Sequence, residues 1–481
     1  MRHALPLRSL TLVAAAVLAG CVNLAPDYQA PALPVPSTLP SANVEAATPL
    51  DAGWRDFFVE PKLRAVIELA LANNRDLRVA ALNIERARAQ YGIARAGLFP
   101  TIDAGAGGSR SRTPGSLSTG GEPRYATQYS ADLGLTSYEI DLFGRVRNLS
   151  ESALQSFFQT EATQRGTQIS LMASVATAWL QLAADEQRLQ LARHTLESQR
   201  RSFDLIQRGH GLGAQSGLAL AQAQSTVDAA RADAAAFDSQ VEQDRNALAL
   251  LVGATPPAEL LPTPAATDPS TATAATAEPA PAARLLVPPA GLPSSVLQQR
   301  PDVLAAEHAL RASNADIGAA RAAFFPRIAL TASAGTASST LSGLFASGSS
   351  AWSFAPSISV PIFDGGANRA NLRVAEAQQK IQLASYEKTV QTAFREVADA
   401  LAERRTLAER LDAQRSLLDA TSRSFSLSQS LFRSGASSYL DVLDAQRAYY
   451  AAQQTLIGLQ LTEQANRLTI YKVLGGGWKE S

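Results

Sequence analysis

The chain has 481 residues and balances 43 Lys+Arg against 43 Asp+Glu, with four His, two Met and one Cys. Zero formal net charge removes the electrostatic basis for binding nucleic acid or for a polybasic hold on a membrane surface. A single Cys excludes an intrachain disulfide framework and a Cys-based zinc or iron–sulfur centre.

The first 20 residues read as a signal peptide. Arg2 and Arg8 precede a short apolar run, Leu10 to Ala19, and small residues lead to Cys21. Leu18-Ala19-Gly20-Cys21 resembles a bacterial lipobox, which predicts cleavage before Cys21 and its lipidation. Val22 after it, by resemblance to lipoprotein sorting signals, favours the outer membrane. Residues 21–60 are Pro-rich and are expected to form an extended tether. No later apolar run reaches the ~18 residues of a membrane helix, so any membrane crossing must use strands.

The rest of the chain is a tandem repeat, residues 61–253 and 296–475, around a Pro/Ala/Thr-rich linker at 254–295 and followed by a tail at 476–481. Asp76-Leu77 through Phe99-Pro100 aligns without a gap to Asp302-Val303 through Phe325-Pro326, an offset of 302 − 76 = 226. Further on, Arg201-Ser202-Phe203 meets Arg423-Ser424-Phe425 at 423 − 201 = 222. Each copy predicts a helix (about 62–98 and 296–324) stopped by Phe-Pro, because the residue before proline is pushed out of helical geometry. A β-hairpin follows (about 100–141 and 326–363). Then come a very long helix (about 144–208 and 366–433), a Gly turn, and a return helix (about 215–252 and 437–474) ending at Gly253 and Gly475.

Steps of seven pass through Val390, Val397, Arg404, Leu411, Leu418, Phe425 and Phe432, and in the first copy through Val175, Leu182, Leu189, Leu196, Phe203 and His210. A sustained seven-residue period predicts a coiled-coil seam. The strands alternate instead. Trp352, Phe354, Pro356, Ile358, Val360 and Ile362 oppose Ser353, Ala355, Ser357 and Ser359, while Tyr125, Tyr129, Leu133 and Leu135 share one parity. Two hairpins supply four strands, whereas a closed membrane barrel needs about eight or more. A membrane role therefore demands a homo-oligomer, and counting alone admits a dimer, trimer or tetramer.

Several motifs, in order along the chain, resemble the TolC-like outer membrane factor family, in its lipoprotein branch of OprM and NodT type. They are Leu24-Ala25-Pro26-Asp27-Tyr28, Arg300-Pro301-Asp302-Val303-Leu304, Ala322-Ala323-Phe324-Phe325-Pro326, Pro361-Ile362-Phe363-Asp364-Gly365-Gly366 and Tyr439-Leu440-Asp441-Val442-Leu443-Asp444. The resemblance implies a mainly α fold with membrane β: a homotrimer with a 12-stranded β-barrel and a coiled-coil α-barrel. It further implies an exit duct in the outer membrane of a Gram-negative bacterium, served by a periplasmic adaptor and an inner-membrane pump of RND type, with no cofactor. A structural coiled-coil lipoprotein of the envelope and an outer-membrane component of type I secretion are the alternatives.

Asp441 and Asp444, spaced i and i+3, share a helix face just past Gly435, and in the family this pair marks the periplasmic aperture. The first copy has Ala219 and Gln222 there, so duplication did not create the pair. Where some relatives tether the tip with a Tyr and an Arg, this chain has Phe432 and Ser437. The turns at Gly213-Ala214 and Gly435-Ala436 resemble adaptor-contact tips. His194, His210 and His308 are scattered and no nucleophile elbow or phosphate loop occurs, so neither a metal site nor an enzyme is expected.

Overall fold

Runs of Ala, Gln, Arg, Glu and Leu without a proline become two helices of 67 residues each, about 100 Å long at 1.5 Å per residue. A computed structural model describes residues 22–40, 53–262, 283 and 293–476. The signal peptide, Cys21, the C-terminal tail beyond residue 476 and most of the linker lie outside the described residues. The elements in chain order are α1 (Trp54–Phe57), α2 (Pro61–Asn73), α3 (Arg75–Ala96), β1 (Ile102–Thr113), β2 (Arg124–Ile140), α4 (Arg145–Gly211) and α5 (Gly217–Val252). The second half gives α6 (Pro301–Ala322), β3 (Arg327–Ser338), β4 (Ser350–Ser359), α7 (Ala367–Arg433) and α8 (Tyr439–Val473).

Three expected element bounds need correction. The helix expected over 62–98 is two helices, because Asn74 leaves helical geometry (φ −60°, ψ 132°). Its side chain accepts from Leu77 N at 2.8 Å, capping α3, and donates to Leu251 O at 2.8 Å. The helix expected from 296 opens as a 3-10 turn, Ser294–Gln299, with α6 proper starting at Pro301. The strand expected to reach 363 ends at Ser359, two residues before Pro361, which lacks the N–H a ladder needs. Val360 and Ile362 are therefore not strand residues.

Contacts divide the chain into two compact units, and each draws on both sequence copies. The first holds the described residues up to Ala32 with Asn83–Glu161 and Ala305–Glu387. Its centre is a four-stranded antiparallel meander in the order β1-β2-β3-β4. The segment after residue 21 is docked here rather than free. Leu24 O accepts from Arg321, Pro26 O from Asn314 at 2.7 Å, and Tyr28 donates to Glu307 at 3.2 Å with Arg311 over its ring. These partners descend one face of α6 at helical spacing, and a Cβ on Gly318 would collide with Ala25. Burial, with Glu307's charge, pushes the Tyr28 phenol up to about 12.

The second unit comprises the described residues within Leu33–Leu82, Ala162–Leu304 and Lys388–Ser481. The expected seven-step line is its core: Val175, Leu182, Val390 and Val397 are at most 1% exposed, and Leu189, Leu411 and Leu418 are buried. Arg404, the polar member of that line, donates to Glu463 of α8 at 2.5 Å. Near one end, Phe57 stacks on Tyr471 at 4.1 Å with Phe58 edge-on to both.

Candidate functional site

The two helical hairpins of the second unit close alike. Gly213 N donates to His210 O and Ala214 N to Gly209 O; Gly435 N donates to Phe432 O and Ala436 N to Leu431 O, the same bonds at +222. Gly213 and Gly435 sit at φ +74° and +75°, so glycine is required there. Gly213, Ala214, Gly435 and Ala436 are all exposed. Ser216 and Ser438 then cap the return helices by accepting from Ala219 N and Asp441 N.

Below the turns one apolar cluster joins both hairpins: Ile206, Ala219 and Ala223 with Tyr439, Val442 and Leu443. Phe432 packs against this cluster. The hydroxyl of Ser437 has no partner among the described residues, so neither residue forms a polar tether within the chain.

Asp441 and Asp444 both lie exposed on the first turns of α8, on the face away from Val442 and Leu443. Asp441 has a local duty as well, because its Oδ2 accepts from Ser438 N at 3.0 Å and from Ser438 Oγ at 2.9 Å, completing a capping box. Among the described residues Asp444 is held only by Arg447 at 3.5 Å, an exposed pair of little energy. Ala219 at the position equivalent to Asp441 is buried, so the first copy turns without an acid and the second presents two.

In the sheet, residues paired across strands share a face. One face carries Trp352, Phe354, Pro356 and Ile358 of β4, Ala334, Ala332, Leu330 and Ile328 of β3, and Leu133, Leu135, Tyr138 and Ile140 of β2. Sequence parity missed part of this face. Two residues of β2, Thr136 and Ser137, lie between the pairs Leu135↔Ala332 and Tyr138↔Leu330, where β3 has only Thr331. This bulge, with Ser137 at φ +51°, moves the apolar set from odd to even numbers and keeps Tyr138 and Ile140 on the face. The switch of parity after Leu135 was the available signal. The opposite face is polar: Ser333 and Ser353 are bonded at 2.8 Å, and Glu139 is gripped by Arg145 at 2.8 Å and by Arg327.

A buried carboxyl pair between α4 and α5 also went unread, since single Asp residues in long helices carry no spacing signal. Asp185 accepts from Gln181 at 2.6 Å and Arg188 at 2.7 Å, while Asp244 accepts from Gln240 and has one buried oxygen without a donor among the described residues. Burial, then the Asp185 carboxyl, push Asp244 up to about 6, against the pull of Gln240 and Arg188. Because the folded value exceeds the unfolded 3.8, this group's contribution is full below that value and is lost as pH rises through about 6. Asp244→Asn is therefore expected to gain thermal stability relative to the parent chain as pH rises over that interval. A constant difference between the two melting curves would exclude the buried titration.

The profile of the family described as outer membrane efflux protein matches residues 66–254 and 292–476. The antibiotic efflux pump outer membrane protein ArpC of Pseudomonas putida is 46% identical over 477 residues, covering 97% of this chain and 95% of ArpC. The toluene efflux pump outer membrane protein TtgC, also of P. putida, matches to the same extent. Among solved structures, the open state of the Neisseria gonorrhoeae MtrE outer membrane channel is similar with a TM-score of 0.84 at 39% identity, covering 95% of this chain and 99% of MtrE.

Proposed function

We infer, since this chain belongs to the outer membrane efflux protein family, that three copies join their four-stranded sheets into one 12-stranded barrel and their long helices into one tube. The protein is an outer-membrane efflux channel and not an enzyme. The observation that carries the oligomeric reading is the sheet itself, and the number three comes from the family. Its edges β1 and β4 pair with nothing among the described residues, while Ile102, Leu133, Trp352, Phe354 and Ile358 on one face are 59–78% exposed. Such edges cost several kcal/mol per unsatisfied group in lipid, and copies of the same sheet satisfy them. Exposed Val79, Leu82 and Ile93 on α3 and Val374 and Ile381 on α7 suit burial against neighbouring copies.

The hairpin tips at Gly213-Ala214 and Gly435-Ala436 receive a periplasmic adaptor, through which an inner-membrane pump of RND type delivers small organic solutes of the kind named for ArpC and TtgC. Cys21 carries the lipid that anchors the chain. Asp441 and Asp444 of three chains form a ring of carboxylates at the periplasmic mouth, where a convergent acid ring selects cations. Changing both to Ala is expected to weaken cation preference and block by multivalent cations in planar bilayers. Unchanged selectivity would remove the pair from the constriction. Asp441→Ala alone also opens the capping box, so the exposed Asp444→Ala is the cleaner single variant.

A further inference from the structure

The register of the sheet locates a charge boundary on its apolar face. Along β3 this face runs from Ile328 to Ser338, and every residue paired at these levels on β1, β2 and β4 is uncharged. Ten residues make about 33 Å along a strand, or about 25 Å across a membrane at a tilt of about 40°, the height of the apolar band of an outer-membrane barrel. The next two levels of the same face break the pattern. They hold Arg110 opposite Thr127 and Arg112 opposite Tyr125. Both guanidinium groups flank the Tyr125 ring, at 5.6 and 5.9 Å from its centroid. Neither has an acidic partner among the described residues, and Tyr125 is 60% exposed.

We propose that Arg110 and Arg112, with Tyr125 between them, form a binding site for the phosphate groups of lipid A in the outer leaflet. The assignment rests on the channel reading, in which the hairpin end remote from the helices faces outward. The physical case has three parts. A guanidinium at the edge of the hydrocarbon band is costly unless its fork meets an anion, and a phosphate matches that fork with two parallel hydrogen bonds. Residues two apart on a strand point the same way and lie about 7 Å apart, so both forks reach one headgroup. Tyr125 and Tyr129, on the same face at this end, supply amphipathic rings suited to the interface, and cation–π contact keeps the arginines extended over it.

The test uses the full-length protein extracted in detergent, with diphosphoryl lipid A added and adducts counted by native mass spectrometry. Wild type is expected to retain lipid A, and R110A/R112A to bind it at least tenfold more weakly, with R110K/R112K between the two. Phosphatidylcholine is expected to bind both proteins equally. Equal lipid A binding by wild type and R110A/R112A would overturn the proposal, as would displacement of lipid A by inorganic phosphate at matched concentration, which would mark a general anion site. Conductance in planar bilayers separates the two readings. The double variant retains the wild-type step if only the lipid site is removed, whereas a wild type without conductance strikes the channel reading itself.

Discussion

Replacing Tyr471 by Ala is expected to cost about 3–5 kcal/mol, the usual penalty for removing a buried aromatic ring. Tyr471 is fully buried, stacked on Phe57 at 4.1 Å and met edge-on by Phe58, so truncation empties the centre of a three-ring cluster. The same residue predicts an opposite result for a gentler change. Its hydroxyl is buried and has no partner among the described residues, and an unpaired buried hydroxyl costs about 1–3 kcal/mol. Tyr471→Phe is therefore expected to be neutral or stabilising. Chemical denaturation of the two variants beside the parent chain checks both signs, and a large loss in Tyr471→Phe would show that the hydroxyl is satisfied.

Glu463→Ala is expected to be comparably severe. One carboxylate oxygen accepts from Arg404 of α7 at 2.5 Å and from Arg467 at 2.8 Å, and the other accepts from Gln464 at 3.0 Å. Removing it leaves two largely buried guanidinium groups without their shared anion, and breaking a buried pair from one side costs about 3–5 kcal/mol. Replacing Arg404 and Glu463 together by Met and Leu is expected to recover part of that loss, since it removes one of the two stranded cations while Arg467 remains without its anion. A double variant as unstable as Glu463→Ala would contradict this account of the network.

Arg404 also shows what a sequence conveys about this fold. The seven-residue line through Val390, Val397 and Leu411 names the seam, and Arg404 on that line is anomalous until Glu463 is found 59 positions later. Long helices and their ends were legible because period, Gly turns and Phe-Pro stops are local. The break at Asn74 was missed because its worth depends on Leu251 O, 177 positions away. The docking of residues 24–28 was missed for the same reason: Pro and small residues read as a tether until α6 offers Asn314, Gly318 and Arg321.

The candidate site divides in the same manner. Spacing alone puts Asp441 and Asp444 on one helix face, and the structure adds that Asp441 also closes a capping box with Ser438. Strand alternation named the apolar face but not the bulge that preserves it beyond Leu135, because the extra residue is defined only by pairing with β3. With the bulge in place, one face of the sheet is free of charge up to the level of Arg110, and β1 and β4 remain as edges for other copies to cover.

That closure between copies is the centre of the functional account. Single-channel recording of the purified protein in planar lipid bilayers tests it most directly. Discrete, uniform steps of the size of one oligomeric pore are expected, with cations preferred. A protein that inserts into the bilayer and passes no such steps would contradict it.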